Sequence, residues 1–217
     1  MTPCLNLGCP FTIGSVTIPN RVVLGPMAGV TCRPFRRHLK VHGVGLVHTE
    51  MVSAHGILYG NARTLDYLDF AEEERPLSVQ LFAGTPDAVS RAAARVLEAE
   101  RRPDIIDINM GCPVRKVVKT GAGAALLGDI DRAVAVAAAV VRTTAAAGIP
   151  VTVKLRSGLV AGDGIAEVLA PRLEEAGVAA LALHARAAAD FYRGRADHEV
   201  SARVASRISI PLIVSGD

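Results

Sequence analysis

The stretch that decides the fold runs from Ile105 to Asp129: IIDINMGCPVRKVVKTGAGAALLGD. Its opening residues, Ile105–Asn109, form a short, near-continuously apolar run. That is the pattern of a strand buried on both faces. Six other runs share it: Arg21–Leu24, Leu46–Thr49, Leu77–Phe82, Val151–Leu155, Ala180–His184 and Pro211–Ser215. Helical stretches lie between them. Pro86–Arg101 is one, and the Ala-rich Asp131–Ala147 is another, with Asp129 or Asp131 as its cap and Gly148 as its stop. A third spans Asp163–Ala176, where Pro171 predicts a kink or two short helices, and a fourth spans Ala196–Ser206.

Alternating strands and helices imply right-handed crossovers and a parallel sheet. The strands start near residues 21, 46, 77, 105, 151, 180 and 211, so successive steps are 25, 31, 28, 46, 29 and 31 residues. Evenly spaced βα units favour a TIM (β/α)8 barrel over an open doubly wound sheet. The long fourth step is the stretch quoted above, and long loops at the carboxyl ends of parallel strands are where such folds place chemistry. Seven of eight strands are expected here, and residues 1–217 are read as one catalytic barrel domain that is incomplete at its C-terminal end.

Composition bounds the function. Half of the 217 residues are hydrophobic and 21% are charged, which excludes intrinsic disorder. Aromatics make up 4%, with no Trp, so base stacking across an aromatic sheet face is not expected. Cys4, Cys9, Cys32 and Cys112 lack the paired spacing of a zinc site and are too sparse for a disulfide scaffold, so no metal and a reduced cytoplasmic setting are expected. No apolar run is long enough to span a membrane, and no signal peptide is apparent, so no membrane partner is expected. The net charge of +3 only weakly favours a polyanionic partner. Two basic clusters stand out: Arg33, Arg36, Arg37, His38 and Lys40, then Arg115, Lys116 and Lys119.

Polar residues fall at the carboxyl ends of the expected strands: Glu50, Gln80, Asn109, Lys154, His184 and Ser215–Asp217. On parallel strands these converge on one mouth. Cys112, in Gly-Cys-Pro, lies three residues past Asn109 in the longest loop of that face. A free thiol, with a reference pKa of about 8.5, is mostly protonated at neutral pH and can serve as a general acid, or as a nucleophile if activated. Lys154, ending the strand VTVKL, must meet an anion, an electron-rich ring or a carbonyl. Schiff-base chemistry is the competing reading. The Gly121–Gly128 run lacks the Gly-Lys-Ser/Thr of a P-loop and is a weak phosphate cradle by itself.

The segments GPMAGVT, TEMVSA, SVQLFAG, DINMGCPVRKVVKTGAGAALL, VTVKLRSGL and LHARAAADFYRG, in this order, resemble the tRNA-dihydrouridine synthase family, close to its bacterial B-type branch. The resemblance runs from about Asn6 to Asp217. It implies an FMN-containing barrel that reduces selected uridines of tRNA to 5,6-dihydrouridine with NADPH. By matching motif, Pro26, Met27 and Ala28 would lay backbone against the flavin ring, and Gln80 and Lys154 would hydrogen-bond its polar edge. His184 would sit near the flavin with Arg186 close by, as a substrate contact. Ser215, Gly216 and Asp217 would lie by its phosphate. Cys112 would be the proton donor and Asn109 would hold the target uracil, a base flipped out of the RNA stack.

The chain departs from the family pattern at Gly25, Cys32, Ala188 and Ser215, where Ala, Asp, a second Arg and Asn are usual. A Gly-Arg phosphate element after the last strand and a helical tRNA-binding domain are expected of the family and are not in this sequence. Alternative readings are an inactive piece of such an enzyme, a flavin barrel acting on a small molecule, and a Lys-based lyase.

Overall fold

The computed structural model describes residues 6–217, so Cys4 lies outside the described residues. The chain begins with an antiparallel hairpin, β1 (Phe11–Ile13) and β2 (Val16–Ile18). Seven parallel strands follow: β3 (Val23–Leu24), β4 (Leu46–Ser53), β5 (Leu77–Phe82), β6 (Ile105–Met110), β7 (Val151–Arg156), β8 (Ala180–His184) and β9 (Leu212–Ser215). They pair strictly in chain order from β3 to β9. A doubly wound sheet would reverse its strand order at a switch point; here none occurs, and the strands wind in one direction as in a TIM barrel.

The helices are α1 (Arg33–Val41), α2 (Ala54–Leu58), α3 (Ala62–Asp66), α4 (Pro86–Leu97), α5 (Arg115–Val118), α6 (Ile130–Thr144), α7 (Ile165–Glu175) and α8 (His198–Ala205). Their starts follow cap chemistry. Thr85 accepts from Ala88 N, Asp129 from Arg132 N, and Asp197 from Glu199 N. Gly148, in the left-handed region at φ 65°, ends the turn that follows α6.

Three expectations need correction. Pro171 neither splits nor ends α7, which is one helix across it. The proline removes the N–H that would meet the Glu167 carbonyl, and Arg207 Nη1 donates to that oxygen instead, at 3.3 Å. Next, β4 does not stop at Thr49 but runs on to Ser53 through a register shift between His48 and Met51. At the bulge the Thr49 hydroxyl accepts from Gln80 N at 3.1 Å, taking the place of a ladder carbonyl. Glu50 therefore sits inside a strand rather than at its end. Finally, the apolar runs hide an alternation. On β6, Ile106, Ile108 and Met110 pack outward against the helices, while Ile105, Asp107 and Asn109 face the barrel axis.

The hairpin, which the strand reading missed, explains the floor. Ile13 and Ile18 pack with Leu46, Ile105 and Ala180, the first residues of β4, β6 and β8. Alternate strands thus contribute one apolar layer, capped from below by β1–β2. Above it the inward positions turn polar: His48, Ser78, Gln80, Asp107, Asn109 and Thr152 are all buried. The sheet's two edges, β3 and β9, are not paired with each other. Leu7, Phe11, Val23, Leu212, Ile213 and Val214 line a groove between them.

Candidate active site

A cavity of about 400 Å³ opens at the carboxyl ends of the strands. The loop after β3 supplies Pro26, Met27 and Ala28 on one side; Asn109 and Cys112 come from β6 and its loop, Lys154 and Arg156 from β7, and His184 from β8. The sequence-expected residues Pro26, Met27, Ala28, Asn109, Cys112, Lys154 and His184 are thus brought together on one wall-and-floor surface. Phe191 and Tyr192 close the rim.

Each wall is held from behind. The Thr31 hydroxyl donates to the Met27 carbonyl at 3.1 Å, and Glu50 Oε2 accepts from Gly29 N at 2.5 Å, which fixes the 26–29 loop. Glu50 acts here through the loop and does not line the cavity. The Cys112 turn rests on Asn109, whose Oδ1 accepts from Gly111 N at 3.1 Å and Cys112 N at 2.9 Å. The Gly-rich stretch folds back beneath the same turn. Ala124 N donates to the Cys112 carbonyl at 3.0 Å, and a Cβ on Gly123 (φ 60°) would fall 2.6 Å from that oxygen. Those glycines serve close backbone packing under the cysteine.

Lys154 lies at the cavity floor without a hydrogen-bond or ion-pair partner among the described residues. Burial lowers its ammonium pKa, with Asp107 pulling the other way. His184 is pushed down to about 4, chiefly by burial and then by the cations Arg156, Lys154 and Arg186, against the opposing charge of Asp217. The site is therefore a concave surface with an unpaired amine and surplus positive charge, suited to an electron-rich or anionic ligand.

Several expected residues stand elsewhere. Gln80 is fully buried below the floor, with Nε2 donating to Asp107 at 2.6 Å and Oε1 accepting from Asn109 at 2.9 Å. Both ends of its amide are occupied by protein. Arg186 is buried rather than offered to solvent. It donates to His184 Nε2, to the Gly194 carbonyl and to Asp217. Asp217 also accepts from Ala196 N at 2.6 Å, and Ser215 Oγ donates to the Leu183 carbonyl at 3.4 Å. Gly216, at φ 107°, passes so close to His184 and Ala196 that a Cβ would meet them at 3.0 and 2.9 Å. Ser215, Gly216 and Asp217 adjoin the cavity through His184 and do not line it.

Arg156 was missed by sequence reasoning. It is 3% exposed, donates to the carbonyls of Gly111, Ala187 and Phe191, and lies 5.6 Å from the Tyr192 ring centre. The signal was available: it follows Lys154 by two residues on the same strand, so it shares that face.

The first basic cluster proves largely neutralised. Arg36 is buried against Glu74, while Arg33 pairs with Asp69 and Arg37 with Glu73. Arg115, Lys116 and Lys119, just beyond Cys112, are exposed and have no ion pair among the described residues.

Fold and site define a parallel α/β barrel with a ligand cavity at the carboxyl end of its strands. Solved structures share this fold. Morphinone reductase in complex with tetrahydroNAD aligns with a TM-score of 0.69 at 14% identity, over 98% of this chain and 80% of that one. The old yellow enzyme homologue from Zymomonas mobilis gives 0.68 at 14% identity, over 98% and 82%. The dihydrouridine synthase family matches residues 23–217, and the chain belongs to it. The tRNA-dihydrouridine synthase B of Pseudomonas aeruginosa is 42% identical over 205 residues, which are 94% of this chain and 60% of that protein. The probable tRNA-dihydrouridine synthase 1 of Synechocystis is 41% identical over 96% of this chain and 57% of its own length. The chain spans about 60% of the length of the curated relatives it matches. No helix among the described residues is long and apolar enough to cross a membrane.

Proposed function

We propose that this protein is the catalytic barrel of a flavin-dependent tRNA-dihydrouridine synthase, with FMN as cofactor, NADPH as reductant and selected tRNA uridines as substrate. The observation that carries the reading is the juxtaposition of Cys112 and the unpartnered Lys154 in one cavity, in a chain of the dihydrouridine synthase family. The residues fit a flavin. Pro26, Met27 and Ala28 offer a flat apolar side, and Lys154 offers a cation with no protein anion at hydrogen-bond distance.

Saturating the C5=C6 bond of a uracil takes a hydride at one carbon and a proton at the other. A flavin held against Pro26, Met27 and Ala28, once reduced by the nicotinamide, would be the source of the hydride at C6. Cys112 Sγ–H supplies the proton to C5, and the thiolate left behind is reprotonated from solvent. Lys154 would hold the electron-rich edge of the ring, where its burial keeps solvent from screening the contact. Arg156 fixes the Gly111 and Phe191 backbones, which keeps the cavity mouth in shape for a flipped base. Arg115, Lys116 and Lys119 present unneutralised positive charge next to that mouth, as an RNA backbone requires. The free thiols of Cys9, Cys32 and Cys112 accord with a cytoplasmic setting.

The test is direct. The purified protein is titrated with FMN, then given NADPH and unmodified tRNA, and dihydrouridine is measured by mass spectrometry. Tight FMN binding that weakens in Lys154→Met, together with dihydrouridine in the tRNA, is the expected result. Borohydride trapping of a carbonyl compound on Lys154, with no flavin bound, would replace this reading with that of a lyase.

A further inference from the structure

Below the cavity floor a hydrogen-bond chain crosses three strands. Thr152 Oγ1 on β7 donates to Asp107 Oδ1 on β6 at 2.5 Å, and Gln80 Nε2 on β5 donates to Asp107 Oδ2 at 2.6 Å. The three residues sit side by side in register. From Gln80 the chain climbs: Asn109 Nδ2 donates to Gln80 Oε1 at 2.9 Å, and Asn109 Oδ1 takes the N–H groups of Gly111 and Cys112. All four side chains are buried, with Gln80 at 0%, Asp107 at 1%, Thr152 at 4% and Asn109 at 6% exposure.

The chain has a direction, and both ends impose the same one. Asp107, as a carboxylate, only accepts, so Gln80 must turn its NH₂ down and its carbonyl up. Asn109 must then turn its NH₂ down and its carbonyl up. At the top, backbone N–H groups only donate, so they need that carbonyl. A flip of either amide would set acceptor against acceptor at its lower end and donor against donor at its upper end, in a buried site where unmade hydrogen bonds are costly.

We infer that Asp107 is a positioning residue: its carboxylate sets the orientation of Gln80 and through it of Asn109, and so holds the Cys112 turn in its working geometry. This rests on the proposed role of Cys112 as proton donor only for its catalytic consequence; the structural claim stands by itself.

The experiment is amide hydrogen exchange by NMR, read at Gly111 and Cys112 relative to Ile106 and Ile108 of the same strand. Among the described residues, the N–H groups of Gly111 and Cys112 bond only Asn109 Oδ1. In Asp107→Val, Gln80 has lost the group that orients it, and relative exchange at the two amides should rise about five- to tenfold, the worth of one hydrogen bond. In Asp107→Val/Gln80→Glu the carboxylate is moved one strand over. It still only accepts, so it again holds Asn109 by its NH₂, and the ratio should return to within about twofold of wild type. Thr152→Val removes Asp107's other donor and leaves the climbing arm, so it should lower stability without moving the ratio.

An unchanged ratio in Asp107→Val, or a folded double variant whose ratio stays raised, overturns the inference. If Asp107→Val does not fold, the double variant must fold with the wild-type ratio, and its failure also counts against the chain. Dihydrouridine formation is measured in parallel. If Cys112→Ala leaves it intact, the proton-donor reading fails while the exchange ratios still decide the role of Asp107. If it does not, kcat should fall in Asp107→Val and recover in the double variant.

Discussion

Arg186 Nη1 lies 3.2 Å from His184 Nε2. A guanidinium can only donate, so Nε2 must be the bare nitrogen of a neutral ring whose proton is on Nδ1. The geometry agrees with the direction of the titration, since burial and three cations press His184 down to about 4.

Acid sensitivity follows. In the unfolded chain His184 titrates near 6.5; in the folded protein it does so near 4. Between those values the unfolded chain holds a proton that the folded one lacks, so stability rises with pH across this window. The contribution is fully present above pH ~6.5 and is lost as pH falls toward ~4. His48, also lowered by burial, adds in the same direction. Urea unfolding from acid to neutral pH should show this slope, and His184→Asn should make it shallower. An NMR titration that places the His184 midpoint at its ordinary value would contradict the arrangement.

A second prediction concerns Glu74, whose Oε2 accepts from Arg36 Nε at 2.7 Å and whose Oε1 accepts from Ala71 N at 2.7 Å. Arg36 also donates to the carbonyls of Thr31 and Asp69, so this one pair ties α1 to the segment before β5. With both residues buried, Glu74→Gln leaves a guanidinium facing an amide NH₂. The loss of stability should be about 3–5 kcal/mol by chemical denaturation, with ligand binding in the distant cavity retained. A loss below about 1 kcal/mol would mean that the pair relaxes easily.

Much of this architecture was legible in the sequence. Leu77–Phe82 and Ala180–His184 were delimited as they stand, because buried parallel strands are short apolar runs between turn residues. The hairpin was not, since FTIGSVTI is too brief to separate from a loop without the barrel floor it covers. The cavity residues Lys154 and His184 were visible as polar ends of strands, and Cys112 as the thiol of the long loop after Asn109. What stayed hidden was who faces whom. Arg36 and Arg33 stood out only as members of a basic cluster, and their partners Glu74 and Asp69 lie more than thirty residues further on. Gln80 and Arg186 read as ligand contacts, and the sequence does not show that Asp107 and Asn109 meet the amide of the first while His184, Gly194 and Asp217 meet the guanidinium of the second.

The unpaired basic residues beside the cavity give a third prediction. Replacing Arg115, Lys116 and Lys119 together by Gln should weaken tRNA binding and reduce the slope of log affinity against log salt by about 2–3, one counterion per lost contact. Flavin content should not change, because none of the three lines the cavity. An unaltered salt slope would place the RNA on another face.

The last prediction is for Cys112. Its backbone is fixed by Asn109 from one side and by the Gly123 turn from the other, so Cys112→Ala removes only a sulfur from a cavity wall whose shape is set by main chain. Flavin binding and NADPH oxidation should therefore persist. Dihydrouridine formation should fall by about 10²–10⁴, the usual worth of a general acid, because the carbon that needs a proton then meets a methyl group. Cys112→Ser separates acidity from shape: a hydroxyl fits the same space but is a far weaker acid, so it should recover little of the loss. The measurement is single-turnover reduction of unmodified tRNA by pre-reduced enzyme, which isolates the chemical step from cofactor loading. Wild-type rates in either variant would remove Cys112 from the reaction and leave the proton to be supplied by water or by another residue of the cavity.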